Sequence, residues 1–438
     1  MKNFIITAVI IFLVSCSGDS QNKGQDLNSW FKANSTPFET VEDLSEITSR
    51  ASNRSMVLLG EASHGTHEYY KWRAKLSKYL ISQKQFNFIV VEGDWASIYR
   101  LNKYVKDWNS SASSAKEVLR EFDRWPQWMW SNSDILSLAE WLREYNKNLN
   151  DEDKVGFYGM DVYGQWQALD DLLVYTEVNL PNYHDVIKSN LNCFTKHGED
   201  EWDYARFVAQ GGSPCTDELT EVAEILRNYS DRLIADCPKS YFRAKQNAYV
   251  VKNAESYYRL AVQNNVTAWN SRVDHMWLTV QRLREYYGEN SKGILWAHNT
   301  HVGDSRATYM AMQGQYNAGR LSRDELGEDN VFILGFATTK GRVNAGSEWG
   351  SAMQIMDLPD AQEGSLGHYM GRLNNDKLFL TFDVEDRENP IFQNPIGHRA
   401  VGVTYNPAQE EGNYVPSILP YRYDAILFIK ETSELDPL

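Results

Sequence analysis

Cysteine is scarce in this chain, with four among 438 residues. No two of them stand as Cys-x-x-Cys, which excludes zinc ribbons and thioredoxin-like redox chemistry. Cys193, Cys215 and Cys237 share one segment, and an oxidising compartment permits one disulfide among them and leaves an odd thiol. No Walker pattern and no Gly-x-Gly-x-x-Gly pattern is present, so no phosphate-cradling loop is indicated. The Gly-x-Ser-x-Gly nucleophile elbow is also missing. Ser63 is a near miss, because Glu61 stands where the first glycine would be, and activated water is preferred to an acyl-enzyme. There is no long basic run, and the net charge of −15 argues against a nucleic-acid partner. No internal repeat is evident. The one clear apolar run, Phe4 to Val14, is too short for an ordinary membrane-spanning helix.

What is present is a recurring arrangement of short apolar runs that end in acids and histidines. Met56 to Leu59 reads as a buried strand and leads into Gly60-Glu61-Ala62-Ser63-His64-Gly65-Thr66-His67-Glu68, after which Tyr69 to Gln83 reads as a helix. Phe88 to Val91 ends in Glu92-Gly93-Asp94. Val155 to Met160 ends in Asp161. Gly293 to Ala297 ends in His298-Asn299-Thr300-His301. If these strands are parallel neighbours, their polar side chains converge on one sheet edge, where open α/β sheets bind ligands. The chemistry runs from Glu61 to His301, which favours one interwoven domain over separate ones. The expected fold class is α/β, a mainly parallel central sheet flanked by many helices, with a helical insertion or cap around 180–265. Helices are also expected at Asp134–Asn148, Gln165–Glu177, Tyr241–Asn264 and Trp269–Tyr287. Later strands are expected at Val331–Phe336, Leu378–Phe382 and Ala425–Ile429. Gly341 to Gly367 reads as an irregular, substrate-contacting loop.

An imidazole beside a carboxylate is a natural general base near neutral pH. His64 is the leading base, with Glu61 or Glu92 holding its tautomer; the competing reading is a turn histidine that caps the next helix. His298 and His301 suit polarising a carbonyl, protonating a leaving group or binding metal, and their spacing is not that of His-Glu-x-x-His. Arg73 suits steadying an oxyanion, or an ion pair with Glu61 or Glu92. Glu68, Asp94, Asp161 and Trp128 are assigned to substrate binding. His67 reads as structural, Asp274 and His275 as helix packing, and His398 stays unassigned. Trp125, Trp128 and Trp130 suit lining a wide apolar cleft for a macrocycle or sugar, against the plainer reading of core packing. Glu61, His64, Glu92, His298 and His301 also make a mixed N/O set for zinc or manganese; no metal or other cofactor is the preferred expectation.

The first residues form a targeting signal. Lys2 precedes the apolar run, which closes on Leu13-Val14-Ser15-Cys16. This resembles a bacterial lipoprotein signal, with residues 1–15 removed and Cys16 lipidated; the alternative is a plain secretory peptide. Residues 16–35 read as a flexible tether and 36–438 as the catalytic domain. The expected location is the cell envelope, lipid-anchored at the membrane through Cys16.

Taken together, Gly60-Glu61-x-x-His64-Gly65-x-x-Glu68 with Arg73, Val91-Glu92-Gly93-Asp94, Trp125-Pro126-x-x-Met129-Trp130, Phe157-Tyr158-Gly159-Met160-Asp161, Trp269-Asn270-x-Arg272-x-Asp274-x-Met276 and Trp296-Ala297-His298-Asn299-x-His301 resemble the erythromycin esterase family, over about Leu44 to Lys430. The resemblance implies metal-independent hydrolysis of a carboxylic ester, a macrolide lactone among the candidates, and a role in antibiotic resistance. It carries His298 and His301 into the active-site cleft. More distant relatives with Gly-x-x-His motifs include metal-dependent proteases. The alternatives are therefore a metal-dependent peptidase or amidase, and a non-catalytic surface lipoprotein that binds glycans through its aromatics.

Overall fold

The computed structural model describes residues 19–108, 111–198 and 200–438, with the backbone alone for 19–26. The signal residues Lys2 and Phe4 to Val14, and Cys16, lie outside the described residues.

Parallel strands covered on both faces read as near-continuous apolar runs, and such runs build the centre of this sheet. The strands are β1 (Thr36–Pro37), β2 (Met56–Leu59), β3 (Phe88–Asp94), β4 (Gly156–Asp161), β5 (Gly293–Trp296), β6 (Val331–Ala345), β7 (Gln354–Leu358), β8 (Lys377–Thr381), β9 (Ile396–Arg399), β10 (Tyr414–Ser417) and β11 (Ala425–Thr432). The main sheet runs β1-β8-β11-β6-β2-β5-β3-β4, with β7 paired to β6. From β11 to β4 every pairing is parallel, whereas β8 and β1 add antiparallel at one edge. β9 and β10 form a separate two-stranded ribbon.

Side chains alternate between the two faces of a strand. Met56, Leu58, Phe88 and Val90 enter one core with helices Gln165–Asn179, Pro238–Ala261 and Asn265–Tyr287. Val57, Leu59, Ile89 and Val91 enter the other with helices His67–Lys84 and Ser133–Asn146. The sheet is thus sandwiched between helical layers, as a doubly covered parallel sheet requires.

Two expectations need correction. Residues 16–35 were expected as a flexible tether, but Asp19–Asn34 is a helix. Leu27 and Phe31 are buried in the core, and Trp30 stacks on Phe382 at 5.8 Å. The polar residues before them hid this apolar anchor. Gly341–Gly367 is not wholly irregular, because β6 runs on to Ala345 and turns back as β7. The stretch 180–265 contains the helices expected of it, among them Pro181–Thr195, Thr216–Asn228 and Pro238–Ala261. None of the residues that line the cleft falls between Tyr163 and Trp269, and the insertion packs behind that wall, with Tyr163 hydrogen-bonded to Tyr257. The Cys193–Cys215 disulfide staples this insertion, and Cys237 is free and exposed.

Candidate active site

Strand register brings the chemistry together. Leu59 pairs with Trp296, Trp296 with Val91, and Val91 with Gly159. Glu61, His298, Glu92 and Asp161 follow these residues by one or two positions and so leave the sheet at the same edge. A cleft of about 400 Å³ opens there, lined by His64, Glu92, Asp161, Arg272, His298 and His301 among others.

The turn after β2 is tightly held. Gly65 has φ +70°, and a side chain there would strike the Asn344 carbonyl, so only glycine fits. His64 N–H donates to the Val401 carbonyl at 3.0 Å. The His64 ring is therefore fixed with Nδ1 2.8 Å from Glu61 Oε1. Arg73 Nη2 donates to Glu61 Oε2 at 2.7 Å, and both side chains are buried. Arg73 in turn lies over the rings of Tyr70 and Trp296. Arg73, Glu61 and His64 thus form a chain that ends at the cleft. With Nδ1–H donated to Glu61, the lone pair of His64 sits on Nε2. Burial pushes the His64 imidazole down, but the Glu61 hydrogen bond and the charges of Glu61 and Glu92 outweigh it, and its pKa is raised above 6.5.

Glu92 organises the opposite wall. It accepts from the His298 backbone N–H at 2.8 Å and from Arg272 Nη2 at 3.1 Å. His301 Nε2 lies 3.3 Å from its Oε1. Burial opposes its ionisation, yet the charges of His301, His64 and Arg272 hold the carboxyl well below 4.5. Arg272 grips Asp161 with Nε at 2.8 Å and Nη2 at 2.6 Å, a bidentate pair. The Trp269 ring stacks on His301 at 4.6 Å and 10°.

His298 differs from His64 in state. Its ring centroid is 4.9 Å from that of His64. Burial, then the neighbouring His64 charge, drives its pKa well below 6.5. Thr300 N–H donates to its Nδ1 at 3.3 Å and the Thr300 hydroxyl lies 2.8 Å from the same atom. The ring proton therefore belongs on Nε2, which is buried and makes no hydrogen bond of normal geometry, with the Ala62 carbonyl near the ring. The site pairs one imidazole that presents a lone pair with one that presents a donor.

Of the residues expected at the site, His64, Glu92, Asp94, Asp161, His298 and His301 line the cleft. Glu61 and Arg73 stand behind His64, so Arg73 does not face an oxyanion. Glu68 does not bind substrate; it accepts from the backbone and hydroxyl of Ser433 and fastens the C-terminal segment. Trp128 is buried in the core, and Trp130, two residues on, lines the cleft instead. His67 pairs with Asp134 at 2.7 Å, His275 with Asn253, and His398 with the Phe336 carbonyl, all away from the cleft wall. Arg272 and Thr300 were given no role from sequence, although both stand inside quoted motifs, and Asp161 at a strand end called for a cation. Among the described residues no group of three or more His, Cys, Asp or Glu side chains is arranged to hold a metal ion.

A parallel α/β sheet with a histidine-carboxylate-arginine cleft at its carboxyl edge defines the class. The family model described as erythromycin esterase matches residues 81–432, and the chain belongs to that family. Three solved structures share the fold. A succinoglycan biosynthesis protein superposes with TM-score 0.75 at 19% identity, over 96% of this chain and all of that one. A Bacillus cereus protein gives 0.74 at 20%, over 95% and 99%. A histidine-to-asparagine variant of the erythromycin esterase EreC, in its open conformation, gives 0.65 at 16%, over 90% and 94%.

Proposed function

We propose that this protein hydrolyses a carboxylic ester, with macrolide lactones as the leading substrate class, by water that His64 activates. The observation that carries the reading is the chain Arg73-Glu61-His64, which presents a free Nε2 to the cleft 4.9 Å, ring to ring, from a neutral His298. His64 Nε2 takes a proton from water, and the hydroxide adds to the ester carbonyl. The new oxyanion receives hydrogen bonds from His298 Nε2–H, a fixed donor that needs no reorganisation. Collapse expels the alkoxide, which takes the proton back from His64, and acid and alcohol leave. No acyl-enzyme forms.

Family membership supports a hydrolase, and the lactone follows from the family name and the apolar walls of the cleft. The two carboxylates weighed as metal ligands are already paired, Glu61 with Arg73 and His64 and Glu92 with Arg272 and His301, which favours hydrolysis without a metal over the peptidase reading. A glycan-binding module would have no use for two adjacent buried imidazoles, one presenting a lone pair and the other a donor. For the chain as a whole we place the enzyme in the bacterial envelope, tethered through lipid on Cys16.

The test uses erythromycin and simple esters in H₂¹⁸O. One ¹⁸O enters the carboxylate product, and His64→Gln lowers kcat by about 10²–10⁴-fold, the usual worth of a general base, with the fold intact by circular dichroism. Chelator leaves the wild type active. Activity lost to chelator and restored by zinc or manganese would overturn the reading.

A further inference from the structure

One wall of the cleft is built by an element that carries none of the catalytic groups. The tip between β6 and β7 places Trp349 at the cleft mouth, and its side chain is 52% exposed. A half-exposed indole at the mouth of a cleft offers an apolar face that a ligand can cover. Most of the aromatic residues around the sheet are buried.

The tip is held from three sides. Trp125 Nε1–H donates to the Ser351 carbonyl at 2.9 Å. Gly346 N–H donates to Val403 and its carbonyl accepts from Tyr405, both at 2.9 Å. The Trp349 ring meets Trp125 edge-on at 4.8 Å and Tyr163 at 6.0 Å. Val403 and Thr404, which anchor the tip, line the cleft themselves, and Phe122, Met129 and Trp130 supply further apolar wall. A rigid platform beside a reacting centre costs little entropy to occupy.

The geometry points to Trp349 as a specificity-determining residue whose indole face takes the apolar ring of a bulky ester while His64 and His298 address the carbonyl. This rests on the ester-hydrolase reading and adds to it the substrate's shape: a large, rigid, apolar body on one side of the scissile bond. Aromatic rings seated on such a platform gain a preference that aliphatic groups of small size do not.

Two acetates separate the effects, methyl acetate and 2-naphthylmethyl acetate, which share an acyl group and differ in the bulk of the alcohol. Trp349→Ala raises the ratio of KM for the naphthyl ester to KM for the methyl ester about three- to tenfold, with kcat for the naphthyl ester changed less than KM; Trp349→Phe restores most of the ratio. Binding is read independently by naphthalene fluorescence anisotropy on the His64→Gln protein, with and without Trp349→Ala. An unchanged KM ratio together with equal naphthyl affinity in the two His64→Gln proteins would overturn the assignment. If the wild type turns over neither ester, the hydrolase reading fails for these substrates, and the anisotropy contrast alone decides on Trp349.

Discussion

The residues that do the most here are distinguished by what they present on the same ring nitrogen, since Nε2 carries the lone pair in His64 and the proton in His298. His64 and His298 are both buried, yet burial wins at His298 and loses at His64, because Glu61 sits against only one of them. This difference has a measurable consequence. In the proposed mechanism His64 is the base only when neutral, so the rate rises with pH through its pKa, with a midpoint above 6.5. In Glu61→Gln the Glu61 contributions, the larger of those that raise the pKa, are removed while burial, which lowers it, and the weaker pull of Glu92 remain, so the midpoint moves to lower pH even as the plateau falls. The variant also leaves Arg73 buried without its counter-charge, a cost of about 3–5 kcal/mol, so the midpoint and not the absolute rate is the readout, taken on protein shown to be folded. A plateau that falls with no movement of the midpoint would reduce Glu61 to a structural partner of Arg73. Glu61, His64, Glu92, Asp161, His298 and His301 were legible in the sequence because each follows an apolar strand by a few residues. Arg272 was not, since it lies 111 positions from the Asp161 it grips and on a helix. Arg73 was legible as a charge, but no spacing rule tells a cleft-facing arginine from one buried behind a carboxylate.

At the scale of elements, the parallel strands were the easiest part to read, because burial on both faces forces unbroken apolar runs such as Met56–Leu59 and Phe88–Val91. The edges of the molecule were harder. Helix Asp19–Asn34 depends on Leu27, Trp30 and Phe31 reaching partners more than 300 positions away, such as Phe382 and Phe392. β7 is a strand only because β6 overshoots the sheet and offers it a pairing edge; its own burial pattern is largely exposed. The insertion between β4 and β5 is a layer of helices stapled by Cys193–Cys215 across 22 positions. Closing a loop of that size in the unfolded chain is worth about 3 kcal/mol. Replacing both cysteines by serine therefore lowers unfolding stability by about that amount in denaturant titration. Because residues 180–265, which hold the disulfide, supply none of the residues that line the cleft, kcat/KM at ambient temperature stays within twofold. A large loss of kcat/KM in folded protein would show that the insertion shapes the cleft after all.

For the whole molecule the question is how the lipid proposed at Cys16 would hold a chain with net charge −15 at a membrane. Among the described residues no helix is long and apolar enough to cross one, and the attachment proposed is the lipid at Cys16. A single acyl chain holds a protein only marginally, and stable anchoring takes more than one, at about 0.8 kcal/mol per buried CH₂. An acidic body gives no electrostatic help toward anionic lipid. The acyl chains would then supply all of the attachment, and their removal should be all or nothing. Every cleft residue lies beyond Gly60, and helix Asp19–Asn34 packs its C-terminal half on the core, so the body is docked independently of the anchor. Cys16→Ala expressed in a bacterial host that lipidates such signals should move the protein from the membrane pellet to the soluble fraction at low and high salt alike, while the purified variant keeps the kcat/KM of wild type. Mass spectrometry of the wild type should find Cys16 as the first residue, carrying acyl chains. An unmodified Cys16, or a wild type that fractionates with the soluble pool, would leave the N-terminus as an ordinary secretory signal and the enzyme free in its compartment.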